Sequence, residues 1–153
     1  MAGDGAWRRG STWISICDWY KIFCIEHNVR VLIAEDDKGV AGTLAEMISV
    51  SNHEVVEIVG SGLEAIRAYE RHKPDVVVMD YLMNGLNGVT ACRNILAKNP
   101  SARIILVSGA LCPGELSVIH CGATAILQKP LALSDLHDVL DTLVTPPTPT
   151  EVN

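Results

Sequence analysis

The chain has 153 residues, a formal net charge of −6, 48% hydrophobic residues and 20% charged residues. That suits one domain with a core of ordinary size and excludes collagen-like, disordered and disulfide-knot classes. The acidic balance argues against direct nucleic-acid binding by this chain, because phosphate backbones recruit lysine and arginine.

Aromatic residues divide the chain in two. Trp7, Trp13, Trp19, Tyr20 and Phe23 precede residue 29, and only Tyr69 and Tyr81 follow it. Residues 1–28 therefore read as an N-terminal extension of uncertain origin. It could be a docking or dimerisation helix, a weak membrane-surface contact, or vector-derived or misplaced-start sequence. The apolar run after Arg8-Arg9 is broken by Asp18 and Lys21, too early for an export signal or a membrane span. Five cysteines (Cys17, Cys24, Cys92, Cys112, Cys121) include no C-x-x-C pair. They read as reduced thiols in a cytoplasmic protein.

From Val29 onward, short β-branched runs alternate with stretches of helical period. Val29-Arg30-Val31-Leu32-Ile33-Ala34 reads as a buried strand, followed by a helix carrying Val40, Leu44, Met47 and Ile48. Val55-Val56-Glu57-Ile58-Val59 is a second strand, and Leu63, Ile66 and Tyr69 mark the next helix. After Pro74, Val76-Val77-Val78-Met79 is the most apolar strand. The loop Asn84-Gly85-Leu86-Asn87-Gly88 leads into a helix with Val89, Cys92 and Leu96. Ile104-Ile105-Leu106-Val107 is the fourth strand, and Leu116-Ser117-Val118-Ile119 belongs to a fourth helix. Ala123 to Gln128 forms a fifth strand, and Leu133, Leu136, Val139, Leu140 and Leu143 a last amphipathic helix. The Pro/Thr-rich tail, residues 145–153, has a linker's composition, and no output-domain pattern follows it.

Five βα units in about 115 residues predict an α/β fold, a doubly wound parallel sheet with helices on both faces. In such sheets the ligand site lies beyond the carboxyl ends of the strands. Glu35-Asp36-Asp37 end the first strand, Asp80 the third, Ser108-Gly109 the fourth and Lys129-Pro130 the fifth. Carboxylates about 4 Å apart repel by about 4 kcal/mol at an effective dielectric near 20, so this rim calls for a cation. Hard oxygen ligands open to water suit Mg²⁺. Asp80 is then the central nucleophile, able to carry an acyl phosphate. Asp36, with Glu35 acting through water, would hold the metal. Lys129 and Ser108 offer a cation and a hydroxyl to the phosphoryl oxygens.

Blander readings stand beside this one. Asp36 or Asp37 could simply N-cap the first helix. Lys129 alone would be an ordinary surface lysine. Val56-x-Ile58-x-Gly60-x-Gly62-x-x-Ala65, with Asp80 about 20 residues on, matches a dinucleotide-binding fingerprint. That reading leaves Glu35, Asp36, Ser108 and Lys129 without a task; a tight strand-to-helix turn eased by Gly62 is simpler. His53, His72, His120 and His137 lie scattered, with no carboxylate–imidazole spacing that suggests catalysis. Cys112 and Cys121 flank the fourth helix, where a redox input could act, but no electropositive neighbour activates them.

The ordered set Val31-Leu32-Ile33-Ala34-Glu35-Asp36-Asp37, Pro74-Asp75-Val76-Val77-Val78-Met79-Asp80-Tyr81-Leu82-Met83, Gly88, Ser108-Gly109 and Lys129-Pro130 resembles the receiver domain of two-component response regulators, over residues 29–144. The resemblance implies a flavodoxin-like sheet of strand order 2-1-3-4-5. It implies Mg²⁺-dependent phosphoryl transfer to Asp80 from a sensor histidine kinase or a histidine phosphotransfer protein, with the Leu82 carbonyl as a further metal contact. It also implies a cis peptide bond at Lys129-Pro130. Such a domain catalyses its own aspartyl phosphorylation and dephosphorylation but is primarily a signalling switch. Its fourth helix, fifth strand and last helix (113–144) would be read by a downstream protein or output domain, or form a homodimer. Two departures stand out. Asn84 occupies a position where the family usually has proline. Ile126 stands where the family often has an aromatic that swings as the serine engages phosphate, so switching is expressed differently. A receiver fragment of a longer regulator and a binding module that is never phosphorylated are the alternative functions.

Overall fold

The computed structural model describes residues 28–109 and 121–144, together with two short N-terminal segments. Those segments, β1 (Trp7–Arg9) and β2 (Thr12–Ile14), pair antiparallel with Trp7 opposite Ile14. The rest of residues 1–27, where a docking or dimerisation helix is one expectation, lies outside the described residues. The expected fourth helix at 116–119, with Cys112 and His120, lies outside the described residues, as does the tail 145–153.

Five strands form the main sheet: β3 (Arg30–Ala34), β4 (Glu54–Val59), β5 (Val76–Asp80), β6 (Ile104–Ser108) and β7 (Ala125–Gln128). They are all parallel, in the order β4-β3-β5-β6-β7. Counted from β3 this is the expected 2-1-3-4-5 arrangement. Four described helices follow strands: α1 (Lys38–Val50), α2 (Gly62–His72), α3 (Gly88–Lys98) and α4 (Leu133–Val144).

The apolar runs fall in the sheet because alternate side chains of a strand serve opposite faces, and both faces here are covered. Leu32, Val77, Met79, Ile104 and Leu106 pack with Ala65, Ala68, Ala91 and Ile95 of α2 and α3. Val31, Ile33, Val76, Val78, Ile105 and Val107 pack with Leu44 and Ile48 of α1 and Leu136 and Leu140 of α4. Central strands β5 and β6 are buried throughout. This two-sided clamp fixes where each strand ends, and so where its terminal polar residue emerges.

Two details depart from a regular ladder. Register slips between β3 and β4, so that Val31 faces Val55 but Leu32 faces Glu57, leaving Val56 as a bulge on the edge strand. The last strand begins at Ala125 instead of Ala123, because Thr124 closes the ladder with its side chain. Its Oγ1 accepts the Ile104 N–H at 3.1 Å while its own N–H donates to the Ile104 carbonyl at 2.7 Å.

Candidate functional site: an acidic rim with one lysine

Beyond Ala34, the Glu35 N–H still donates to the Val59 carbonyl at 2.9 Å, so the chain stays extended for one residue more. Glu35 is thereby carried inward and is 4% exposed. Asp37 adopts the extended backbone of an N-cap, and its Oδ1 accepts from Gly39 N–H at 2.8 Å and Val40 N–H at 3.0 Å. Of the two candidate caps, Asp37 is the one used. Its charge is spent on the positive end of α1, and Asp36 is left for other work.

Asp80 ends the central strand opposite Val107, and the following Tyr81 N–H bonds the Val107 carbonyl at 2.8 Å. The chain then loops back so tightly that a Cβ on Gly88 would stand 2.1 Å from the Asp80 carbonyl oxygen. Glycine is therefore required at residue 88. From the neighbouring strands come Ser108, 4% exposed, and Lys129, whose N–H donates to the Ser108 carbonyl at 2.8 Å. The Lys129-Pro130 peptide bond is cis, as the family resemblance implies.

Four of the expected side chains meet. One carboxylate oxygen each from Glu35, Asp36 and Asp80 lie within 4.8 Å of one another. Lys129 Nζ lies 2.8 Å from Glu35 Oε2 and 3.2 Å from Asp80 Oδ1. Burial alone would lower the Lys129 pKa. The hydrogen bond that Lys129 donates to Glu35 and the charges of Asp80 and Glu35 outweigh it and hold the ammonium above its ordinary value. Three carboxylates thus face one ammonium. The donors are hard oxygens, two of them on side chains shielded from water, and they fit a small divalent cation. Ser108 sits at the end of β6 beside Lys129. Leu82 follows on the β5–α3 loop with an exposed side chain. Ile126 does not reach this rim: it packs into the α2–α3 side of the core, opposite Leu106.

The Glu35–Lys129 ion pair is absent from the sequence reading, which assigns Glu35 to the metal through water. No local pattern links residues 94 apart in the chain. The contact of the Asn84 N–H with Asp36 Oδ2 at 3.3 Å is likewise invisible in sequence.

The glycine fingerprint has a structural explanation. A Cβ on Gly62 would meet the Leu86 carbonyl oxygen at 2.4 Å, so this glycine lets α2 approach the β5–α3 loop. The start of α2 is closed by a capping box: Ser61 Oγ accepts the Glu64 N–H, and Glu64 Oε2 accepts the Gly60 N–H at 3.0 Å. The amide a pyrophosphate would need is already taken by a carboxylate. The sequence signal, Ser-x-x-Glu, was there to be read. Carboxylates pair with two of the histidines, away from the acidic rim. His72 Nε2 lies 2.8 Å from Glu57 and His137 Nδ1 3.1 Å from Asp141, in contacts of the α2 and α4 flanks. Cys121 is buried, and burial pushes the equally buried Cys92 thiol up to about 12, which makes it inert.

A doubly wound parallel sheet whose carboxyl rim gathers three carboxylates and a lysine defines a phosphoacceptor domain of the α/β class. Residues 31–141 match the response regulator receiver domain, and the chain belongs to that family of two-component signalling proteins. It is 35% identical over 116 residues to the transcriptional regulatory protein PdtaR of Mycobacterium tuberculosis, across 76% of this chain and 57% of PdtaR. It is 31% identical over 114 residues to the chemotaxis protein CheY of Listeria monocytogenes, across 74% of this chain and 96% of CheY. The chain thus spans little more than half of PdtaR and nearly all of CheY. Among solved structures it resembles a chain of the CheX–CheY–BeF3–Mg²⁺ complex of Borrelia burgdorferi, with a TM-score of 0.70 and 26% identity over 76% of this chain and 90% of that one. The response regulator domain of Thermotoga maritima CheB gives a TM-score of 0.65 and 29% identity over 76% and 94%. No helix among the described residues is long and apolar enough to cross a membrane.

Proposed function

We propose that Asp80 accepts a phosphoryl group from the phosphohistidine of a sensor kinase or phosphotransfer protein. One Asp80 carboxylate oxygen attacks phosphorus, the P–N bond breaks, and the imidazole leaves, its freed nitrogen taking a proton from water. The observation that carries this reading is the convergence on Asp80: Lys129 Nζ at 3.2 Å, with Glu35 and Asp36 oxygens within 4.8 Å. Carboxylates cannot receive an anionic phosphoryl group unless positive charge is supplied. Lys129 supplies part of it. Asp36 and Asp80, with Glu35 acting through water and the Leu82 carbonyl, would hold Mg²⁺, which would supply the rest. Ser108 donates its hydroxyl to a phosphoryl oxygen. The magnesium reading gains support from the Borrelia complex, which contains BeF3 and Mg²⁺ together with CheX and CheY.

Phosphorylation changes the charge that Lys129 and Ser108 face, and the surface of the fourth helix, β7 and α4 carries the result to a downstream protein, an output domain or a second copy. Ile126, half-buried against the core, has no ring, so the family's ring movement is not available at this position. In this reading residues 29–144 are the receiver, flanked by the 1–28 extension and the 145–153 tail, in a cytoplasmic setting that keeps Cys92 and Cys121 reduced. The test is intact-mass spectrometry with acetyl phosphate and Mg²⁺. The wild-type chain gains one phosphoryl group and Asp80→Asn gains none. Undiminished labelling of the variant would refute the assignment.

A further inference from the structure

Three of the four rim residues are tied down by each other. Lys129 holds Glu35 and Asp80, and both carboxylates are buried. Asp36 differs: it is exposed, and its neighbour Asp37 is committed to α1. Among the described residues its carboxylate has one polar partner, the main-chain N–H of Asn84, which donates to Oδ2 at 3.3 Å from 48 positions further along the chain.

We infer that Asn84 is a positioning residue for the cation site, and that it acts through its backbone amide and not its side chain. The amide occupies one Asp36 oxygen and holds the carboxylate where an oxygen stays within reach of Glu35 and Asp80. This inference rests on the metal-binding reading above. Its chemistry is that of an outer hydrogen bond that orients a ligand before the metal arrives; loss of such a bond weakens metal binding by about 10- to 100-fold. Asp36 is open to water, so the low end of that range applies. The residue type matters only through the N–H. Any residue but proline supplies it, and proline is what the receiver family usually carries here. The turn itself is shaped by the next residue, Gly85, at φ 81°. A positive φ of that kind is compatible with a preceding proline.

The experiment compares Asn84→Ala and Asn84→Pro in the full chain by calorimetric titration with Mg²⁺. Asn84→Ala, which keeps the amide, stays within about twofold of wild type, and Asn84→Pro binds about 10-fold more weakly. A second readout needs no metal: hydrogen exchange of the Asn84 amide is slow in the wild-type chain and several-fold faster in Asp36→Ala. Equal Mg²⁺ affinity of the two Asn84 variants, or an exchange rate indifferent to Asp36, overturns the inference while leaving the cation site standing. Absence of Mg²⁺ binding by the wild-type chain at millimolar concentrations overturns both. Should Asn84→Pro not fold, the exchange comparison decides.

Discussion

At the amino ends of the strands, charged side chains close onto the backbone. Arg30 reaches the His72 and Lys73 carbonyls at 3.0 and 3.3 Å, finishing the carboxyl end of α2, while its own N–H donates to Asp75 at 2.8 Å. Arg103 does the same for α4 through the Leu143 carbonyl at 2.7 Å. At the carboxyl ends, Glu35, Asp36 and Asp80 converge with Lys129 alone among them. At the amino rim these charged groups find their partners within the chain, with His53 Nε2 as an exception. The other rim keeps a surplus of negative charge, and the proposed cation and phosphoryl sites lie there.

Substitutions should therefore act with different signs and sizes at the two rims. The largest effect is expected at Gly88. Gly88→Ala forces a Cβ to within 2.1 Å of the Asp80 carbonyl oxygen, so it should lower stability by about 3 kcal/mol and depress Asp80 labelling as the strand end shifts. Urea unfolding with a parallel labelling assay measures both. Lys129→Met comes next, removing the ammonium between two buried carboxylates. The loss should be about 2 kcal/mol, below that of a fully enclosed pair because the Lys129 side chain is 26% exposed.

A sharper test pairs one substitution from each rim. Asp80→Asn relieves repulsion and should stabilise the metal-free chain by on the order of 1 kcal/mol. Asp75→Ala removes the acceptor of the Arg30 N–H and should destabilise it by about 1 kcal/mol. Equal signs in urea unfolding would dissolve the contrast between the rims.

The smallest effect concerns His53, at the amino rim. Its Nδ1 accepts the Val29 N–H at 3.4 Å, and its buried Nε2 has no partner among the described residues. Burial lowers its pKa below 6.5, Asp141 of α4 pulls it partly back, and His137 adds to the fall. Because the unfolded chain takes up the proton first, this contribution is complete above pH 6.5 and is lost as pH falls from there towards the folded value. His53→Asn should flatten the drop in melting temperature between about pH 7.5 and pH 5.5.

The sheet was legible in sequence because its strands are buried on both faces. Runs such as Val76-Val77-Val78-Met79 carry little ambiguity, and the residue after each run is by construction at the rim. Asp80, Ser108 and Lys129 were found that way. What stayed hidden depends on contacts between distant segments. Glu35 was placed at the metal, but its burial against Lys129 follows from one extra hydrogen bond to Val59. Whether Asp36 or Asp37 capped α1 was undecided, since adjacent aspartates have the same propensity and only backbone geometry separates them. Gly62 was credited with easing a turn, whereas its small size admits the Leu86 carbonyl. The Ser61-x-x-Glu64 spacing marks the start of α2 in sequence, although Glu64 bonds the Gly60 amide, one residue before the cap.

The bulge at Val56 bears on how the sheet stops growing. An outer parallel strand offers a ladder of unsatisfied amides and carbonyls that invites another chain to extend it. Here the extra residue throws the spacing of that ladder out of step midway along β4, and Glu54 and Glu57 stand on either side of the break. An incoming strand could match one half of β4 but not both, and would bring its backbone alongside two negative charges. The bulge, beside a Glu57 that pairs with Arg71, thus also limits edge-to-edge association of the domain.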